Sequence, residues 1–195
     1  MIGIFGGAFD PPHNGHLALA RAAGDHFKLD RLVIAVGGQP PLKASAVTTG
    51  AETRLRLAEA AFADVAGTEV SRIDVDRSQP AYSHDTVRWA HERWGDVVFL
   101  IGADRFADFL QWKAPGEVVR YARLGVATRP GVGREQLDAV LSQLERPERV
   151  EFFEIPEVDV SSREIRRRVG VGEPIVDLVP PLVAELIDEL GLYRQ

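Results

Sequence analysis

The chain has 195 residues, 45% of them hydrophobic and 27% charged, which is typical of a single soluble globular domain. A formal net charge of −6 argues against a nucleic acid as the main partner, and no apolar run approaches the ~20 residues of a membrane span. The absence of cysteine excludes disulfides, thiolate metal sites and a thiol nucleophile. Since no basic leader precedes the first strand either, we expect a cytoplasmic protein.

Patterns typical of buried strands and amphipathic helices alternate along the chain. After an apolar run that begins at Ile2, strands are predicted at 31–36, 69–75, 96–101, 124–128 and 149–155. Helices are predicted at 17–27, 51–63, 117–122, 135–144 and 181–190, and two more begin at Ser83 and Ser161. The strands lack the polar alternation of a sheet with one wet face, so we predict an α/β fold with a doubly wound, mostly parallel sheet. Because no linker is evident, we expect one domain over 1–195, with 156–195 as a C-terminal helical subregion.

The first strand runs into two glycines, a proline-rich corner and the start of a helix. Gly6 and Gly7 have no Cβ that could block a phosphate. His13 and His16 lie about one helical turn apart, so both rings can face one ligand. Backbone N–H groups and the helix dipole at a helix N-terminus attract anions. We therefore predict a phosphate site here; the alternative is a tight strand–helix turn with two surface histidines.

Residues 6–16, which read GGAFDPPHNGH, resemble the G-G-x-F-D-P-x-H-x-G-H signature of the nucleotidyltransferase superfamily. Members of this superfamily transfer adenylate or cytidylate onto phosphorylated acceptors, and the resemblance implies a Rossmann-like fold. The segment matches neither the dinucleotide fingerprint nor a Walker loop.

A second informative segment begins at Ser161. Glu164 follows it by three residues, which is the capping-box pattern of a helix start. Arg163, Arg166 and Arg167 then fall on one helix face. Such a face could stabilise charge on a departing pyrophosphate, although a solvated basic helix explains these residues equally well. The segment resembles the I-S-S-T-x-I-R motif of adenylyltransferases, with Arg163 in place of the threonine.

Together the two motifs imply direct transfer, in which an acceptor phosphate oxygen attacks the α-phosphorus of ATP in line and pyrophosphate leaves. His13 and His16, as hydrogen-bond donors or imidazolium groups, would hold the phosphates, and Arg166 would meet the leaving group. Mg²⁺ is expected to travel with the triphosphate, without a dedicated metal site in the protein. A zinc site on His13, His16 and Asp10 is the competing metal hypothesis, but the spacing places no further strong ligand.

The middle of the chain narrows the choice of acceptor. The segments 38–43, 81–86, 101–104, 129–131, 178–180 and 191–193, together with Trp112, resemble bacterial nicotinate mononucleotide adenylyltransferases over nearly the whole chain. The implied reaction joins ATP to nicotinate mononucleotide, giving deamido-NAD and pyrophosphate in NAD biosynthesis. Two departures from the family pattern concern the acceptor: Leu42 replaces a histidine and Ser83 replaces a threonine.

The resemblance also assigns residues to each substrate. The catalytic residues that it implies are His13, His16 and Arg166. ATP would be bound by Gly6, Gly7, Phe9, His16, Gly102, Asp104, Ser161, Ser162, Arg163 and Arg166. Nicotinate mononucleotide would be bound by Lys43, Tyr82, Ser83, Thr86, Trp112 and Arg129.

Two other functions stay open. One uses the same chemistry on other substrates, namely nicotinamide mononucleotide, phosphopantetheine or a cytidylate donor. The other is a nucleotide sensor without catalysis, against which the presence of both histidines argues. A homo-oligomer is compatible with the sequence, which does not specify the oligomeric state.

Overall fold

Six parallel strands form one sheet at the centre of the computed structural model, which describes residues 1–38, 49–77, 80–129 and 133–194. In space their order is β3-β2-β1-β4-β5-β6, and each neighbouring pair is parallel. The predicted α/β fold with a parallel sheet is thus confirmed. The strands are β1 (Ile2–Gly7), β2 (Arg31–Val36), β3 (Thr68–Ser71), β4 (Val97–Gly102), β5 (Ala122–Thr128) and β6 (Val150–Glu154).

Helices cover both faces of this sheet, because successive residues of its central strands are apolar and face opposite sides. In β1, Ile4 belongs to an apolar cluster with side chains of α3, α5 and α6, whereas Phe5 belongs to a cluster with α1, α2 and α8. Both faces are therefore buried, which is why the strands lack polar alternation. The helices are α1 (Asn14–Phe27), α2 (Ala51–Phe62), α3 (Ser83–Trp94), α4 (Ala103–Ala107), α5 (Pro115–Tyr121), α6 (Arg134–Leu141), α7 (Ser162–Gly170) and α8 (Pro181–Glu189), with 3₁₀ turns at Phe109–Gln111 and Pro147–Arg149.

Several predicted elements end earlier than their sequence patterns indicate, among them the helix predicted at 135–144, which ends at Leu141. Two of the early ends have a visible cause. The strand predicted at 69–75 ends at Ser71, because the following residues turn and bury Asp74. The helix predicted at 117–122 stops one residue early, because Ala122 already pairs within the sheet as the start of β5.

The two C-terminal helices pack on the same side of the sheet as α1 and α2. Ile165 of α7 and Val183 and Ile187 of α8 are buried in the apolar cluster that contains the inner faces of α1 and α2. Within the described ranges, no helix is long and apolar enough to cross a membrane.

The strand order reverses beside β1. From β1 the chain crosses to β2 and β3 on one side, and it later forms β4, β5 and β6 on the other. Ligands of such sheets bind outside the carboxyl ends of the strands at this reversal. Gly7 and Gly102 end the two strands that meet there, and Arg129 directly follows β5, so the fold collects several predicted site residues at one edge.

Gly38, just beyond β2, lies against the turn that follows β3. A Cβ at Gly38 would lie 2.3 Å from the carbonyl oxygen of Asp74 and 3.2 Å from Cα of Val75. Both are backbone atoms, so a side chain here would force the two segments apart. The glycine thus lets the end of β2 pack directly on the segment after β3.

We expect Gly38→Ala to lower the free energy of unfolding by about 1–3 kcal/mol, the usual cost of overpacking. Gly116→Ala is the matched control, because no atom lies within 4 Å of a Cβ there and alanine favours the helix α5. Urea unfolding of both variants and the wild type measures the effect. Equal unfolding midpoints for Gly38→Ala and the wild type would contradict the close contact.

Candidate active site

The turn from β1 into α1 is shaped from within by the ring of Phe9. Gly6 and Gly7 end β1, and Phe9 follows with φ of +51° and only 2% exposure. Its ring packs edge-on against Phe5 and Phe62, at centroid distances of 5.4 and 5.7 Å. A Cβ at Gly7 would lie 2.8 Å from Cζ of this ring, so the turn requires a glycine there. The part of Phe9 that a nucleotide could reach is therefore its backbone.

The two histidines of the signature form one rigid unit at the start of α1. Their rings stack with centroids 3.7 Å apart, and the backbone N–H of His13 donates to Nδ1 of His16 at 3.1 Å. A neutral His16 therefore carries its proton on Nε2. Gly15 makes room for this arrangement, because a Cβ there would lie 3.1 Å from Nδ1 of His13. The predicted proximity of the two rings is thus confirmed.

Burial controls the charge of His13. Its surroundings lower its pKa to about 4, first through burial and then through the positive charge of Arg129. His13 is consequently neutral near pH 7, so the imidazolium option considered for it does not fit the structure. Because its positive charge acts on His13, Arg129, which directly follows β5, belongs to the surroundings of the histidine pair.

Asp10 anchors the signature to the C-terminal part of the chain. It is 2% exposed, and its Oδ1 accepts a hydrogen bond of 2.7 Å from the hydroxyl of Tyr193. Nη1 of Arg166 donates to the carbonyl oxygen of Asp10 at 2.6 Å, and Oγ of Ser162 donates to that of Pro11 at 2.8 Å. Burial and the neighbouring Asp10 carboxylate raise the pKa of Tyr193, which keeps the phenol protonated. The two motifs predicted to cooperate are thus joined directly.

The basic face predicted on α7 is only partly available for a ligand. The helix starts as predicted, with Oγ of Ser161 accepting from the N–H of Glu164. Arg167, however, makes ion pairs with Glu164 at 2.8 Å and with Glu173 at 2.7 Å. Arg163 is exposed. The cations of this face that remain candidates for the triphosphate are Arg163 and Arg166.

On the acceptor side, the structure gives Thr86 another partner. Its Oγ1 lies 2.8 and 3.0 Å from the two carboxylate oxygens of Asp74, and the residue is 3% exposed. Arg77 reaches the same carboxylate at 3.3 Å. A hydroxyl has one proton to donate, so Thr86, which is predicted to bind nicotinate mononucleotide, has no proton left to donate to it. Ser83, the half-buried first residue of α3, offers a hydroxyl in the same segment.

The segments before α3 and after the 3₁₀ turn at Phe109–Gln111 meet through Tyr82. Nζ of Lys113 lies 3.9 Å from the centroid of the Tyr82 ring, a cation–π contact. Trp112, next to that lysine, is half-buried and packs on Phe109 at 5.3 Å. The predicted neighbours Tyr82 and Trp112 are therefore brought to adjacent segments, together with a cation that the sequence analysis did not single out.

The end of β4 opens onto a shallow groove of about 400 Å³ between α4 and α6. Gly102 precedes α4, and no atom lies within 4 Å of a Cβ built there. Asp104, in the first turn of α4, is exposed and lines the groove. Lys43 and Leu42 lie outside the described residues.

Sequence analysis missed a buried cation, Arg54 of α2. It is 1% exposed, and its guanidinium donates to backbone carbonyls at the ends of β1 and β2. A signal was present, because Arg54 interrupts an apolar stripe that includes Leu57, Ala58 and Ala61. A charged residue within such a stripe indicates either an exposed flank or a buried, fully hydrogen-bonded group.

The described residues contain no group of three or more His, Cys, Asp or Glu side chains placed to hold a metal. The zinc hypothesis on His13, His16 and Asp10 therefore gains no further ligand from the described part of the fold.

Comparison with known proteins shows the family to which the chain belongs. Residues 4–168 match the model of the cytidylyltransferase-like family. A curated protein of Roseiflexus sp. (strain RS-1), named "Probable nicotinate-nucleotide adenylyltransferase", is 40% identical over 195 residues, which cover 99% of this chain and 98% of that protein. A protein of the same name from Thermus thermophilus is 38% identical, with 99% of each chain covered.

Solved structures share the fold at low sequence identity. The nicotinic acid mononucleotide adenylyltransferase of Plasmodium falciparum, complexed with NaAD, superposes with a TM-score of 0.81 and 17% identity. The match covers 98% of this chain and 96% of that one. At this identity the likeness shows the fold, which confirms the Rossmann-like expectation.

Because His13 is buried and neutral, we expect the free energy of unfolding to fall in mild acid. Its pKa is about 4 in the folded protein, against an ordinary value of 6.5 for histidine, so between these pH values the unfolded chain binds a proton that the folded chain does not. From pH 7 to pH 5 this costs about 2 kcal/mol of folding free energy. We expect His13→Asn to lose stability over this range by a correspondingly smaller amount, measured by urea unfolding at both pH values. The same pH dependence in variant and wild type would contradict the burial of a neutral His13.

Proposed function

Because the chain belongs to the cytidylyltransferase-like family, we propose that it transfers adenylate from ATP to nicotinate mononucleotide, giving deamido-NAD and pyrophosphate in NAD biosynthesis. The observation that carries this proposal is the signature at 6–16, joined by Arg166 and Ser162 to the second motif, in a chain that matches curated nicotinate-nucleotide adenylyltransferases over 99% of its length. We further propose one catalytic domain over 1–195, in which 156–195 supplies the second motif, and a cytoplasmic location.

The reaction needs no covalent nucleophile from the protein. A phosphate oxygen of the acceptor forms a bond to the α-phosphorus of ATP, while the bond from that phosphorus to the β-phosphate oxygen breaks. Negative charge builds up on the departing pyrophosphate, so catalysis consists of alignment and of fixed positive groups around the phosphates. The N-termini of α1 and α7 both lie beside the signature and contribute their dipoles.

Named side chains fit the phosphate end of this reaction. His16 is held in place by the N–H of His13, which donates to its Nδ1, so the ring offers Nε2–H as a donor. Arg166 already lies against Asp10 through one nitrogen, which fixes the position of its guanidinium beside the turn. Arg163 stands in place of the family threonine and adds an exposed cation. We assign the leaving pyrophosphate to Arg166 and the triphosphate jointly to His16 and Arg163.

Mg²⁺ is proposed to arrive with ATP. The described residues hold no cluster of carboxylates and histidines placed for a metal, and the buried Asp10 and Asp74 are hydrogen-bonded to Tyr193 and Thr86. When bound, Mg²⁺ would neutralise part of the triphosphate charge.

At the acceptor end, the structure favours an acid over an amide. Lys113 places a positive charge over Tyr82, next to Trp112, and Ser83 supplies a hydroxyl in the adjoining segment. Nicotinate carries a carboxylate, which needs donors and positive charge, whereas nicotinamide would direct its own N–H₂ at donors. Trp112 offers an aromatic face on which the pyridinium ring could stack.

Steady-state pyrophosphate release tests the proposed function. With ATP, we expect turnover with nicotinate mononucleotide and roughly a hundredfold lower kcat/KM with nicotinamide mononucleotide, because buried donors would lose their partner. Phosphopantetheine serves as the third acceptor and CTP as the second donor. Equal efficiency for acid and amide would mean that the acceptor is assigned wrongly. ATP binding without turnover of any acceptor would support the sensor instead.

Substituting two arginines of α7 distinguishes a role in ATP binding from a general effect of surface charge. We expect Arg166→Ala to reduce kcat/KM for ATP by at least about 100-fold while the KM for the acceptor stays nearly unchanged. Arg167→Ala removes the same charge from the same helix, but this residue is exposed and paired with Glu164 and Glu173, so near-wild-type kinetics are expected. Arg163→Thr, which restores the family pattern, should be mild. Equal losses in Arg166→Ala and Arg167→Ala would contradict the assignment.

A further inference from the structure

The backbone ladder between β1 and β2 ends where the candidate site begins. Their register runs from Ile2 with Arg31 to Gly7 with Val36, and a last hydrogen bond joins the N–H of Gly37 to the carbonyl of Gly7 at 2.9 Å. Beyond this point β1 and β2 no longer pair, and the carbonyl groups of the residues that follow the two strands need other donors.

Arg54 supplies those donors from the first turns of α2. Nη1 donates to the carbonyl of Ala8 at 2.8 Å and to that of Gly37 at 2.6 Å, and Nη2 donates to that of Gly38 at 2.6 Å. Nε donates to the carbonyl of Thr49 at 3.0 Å. The planar guanidinium thus supplies the hydrogen bonds that the backbone ladder no longer provides, and it connects the ends of β1 and β2 with the start of α2. Lysine lacks this forked geometry.

This arrangement also orients the N–H groups of the two loops. A trans peptide places its C=O and the following N–H on opposite sides. Because Arg54 holds the carbonyls of Ala8 and Gly37, the N–H groups of Phe9 and Gly38 point away from the guanidinium. Arg54 therefore determines which backbone polar atoms the loops after β1 and β2 can present to a ligand.

A chain of direct contacts continues from Arg54 to the acceptor side. Gly38, whose carbonyl binds Arg54, lies against the backbone of Asp74. The carboxylate of Asp74 binds the hydroxyl of Thr86, one turn into the helix that follows Tyr82. The turn after β1 and the segment that begins α3 are therefore connected through buried or tightly packed groups.

We propose that Arg54 is a positioning residue that fixes the turn after β1 relative to the loop after β2 and thereby aligns the two substrates for in-line transfer. The alignment of substrates rests on the proposed function; the fixing of the two loops does not. A displacement of about 1 Å between reacting groups lowers turnover by about 100-fold, so a loss of this kind should appear in kcat more than in KM.

The test uses three variants of the whole chain. Arg54→Lys keeps the charge, Arg54→Ala removes the guanidinium, and Arg56→Ala is the matched control, since Arg56 is an exposed arginine of the same helix. We expect Arg54→Ala to lose about 100-fold in kcat and Arg54→Lys at least about tenfold, with small changes in both KM values. Millimolar guanidinium, far below denaturing concentrations, should restore at least about tenfold of the kcat of Arg54→Ala and leave Arg56→Ala unaffected.

Amide hydrogen exchange without substrates provides the second readout. In Arg54→Lys we expect faster exchange in the peptides that contain 6–9 and 36–38, and unchanged exchange in β4. This readout still decides on Arg54 if the wild type proves inactive with nicotinate mononucleotide, an outcome that would overturn the proposed function alone. Near-wild-type kcat in folded Arg54→Ala, or unchanged exchange in the two peptides, would overturn the positioning role. If both Arg54 variants unfold and guanidinium restores only folding, Arg54 serves stability and the proposal is also overturned.

Discussion

Backbone carbonyls at the carboxyl edge of a parallel sheet lose their ladder partners, and this constraint organises the candidate site. Each such group must find another donor when it is buried. In the turn after β1, side chains from two different helices provide the donors, so the turn is fixed by the protein interior rather than by its own hydrogen bonds. The donors are Arg54 of α2 for Ala8, Arg166 of α7 for Asp10 and Ser162 of α7 for Pro11.

The charged side chains around the site fall into two groups. Some are paired within the protein, as Asp74 is with Arg77 while it accepts from Thr86, and as Arg167 is with its two glutamates. Others, such as Arg163, face outward beside helix N-termini. An acidic protein can in this way maintain a locally positive edge for a phosphorylated ligand, because acidic groups such as Asp74, Glu164 and Glu173 are already paired.

Sequence reasoning predicted the elements whose causes are local. The apolar strands, the glycine turn, the helix start at Ser161 and the meeting of the two motifs all follow from adjacent residues or from a recognisable signature. It failed where a partner comes from a distant segment. Arg54 is buried only because loops from two strands bring their carbonyls to it, and the hydroxyl of Thr86 is used by Asp74 only because β3 ends early. Lys113 reaches Tyr82 by the same kind of long-range packing.

The bond between Tyr193 and Asp10 spans 183 positions of the chain, from the first turn after β1 to the segment after α8. During synthesis the signature leaves the ribosome long before Tyr193 exists. Contacts of such sequence separation form late because of the chain entropy lost in closing the loop. A nascent chain can therefore pair β1 with β2 while the carboxylate of Asp10 still faces water, and the site is complete only once the last helix has docked.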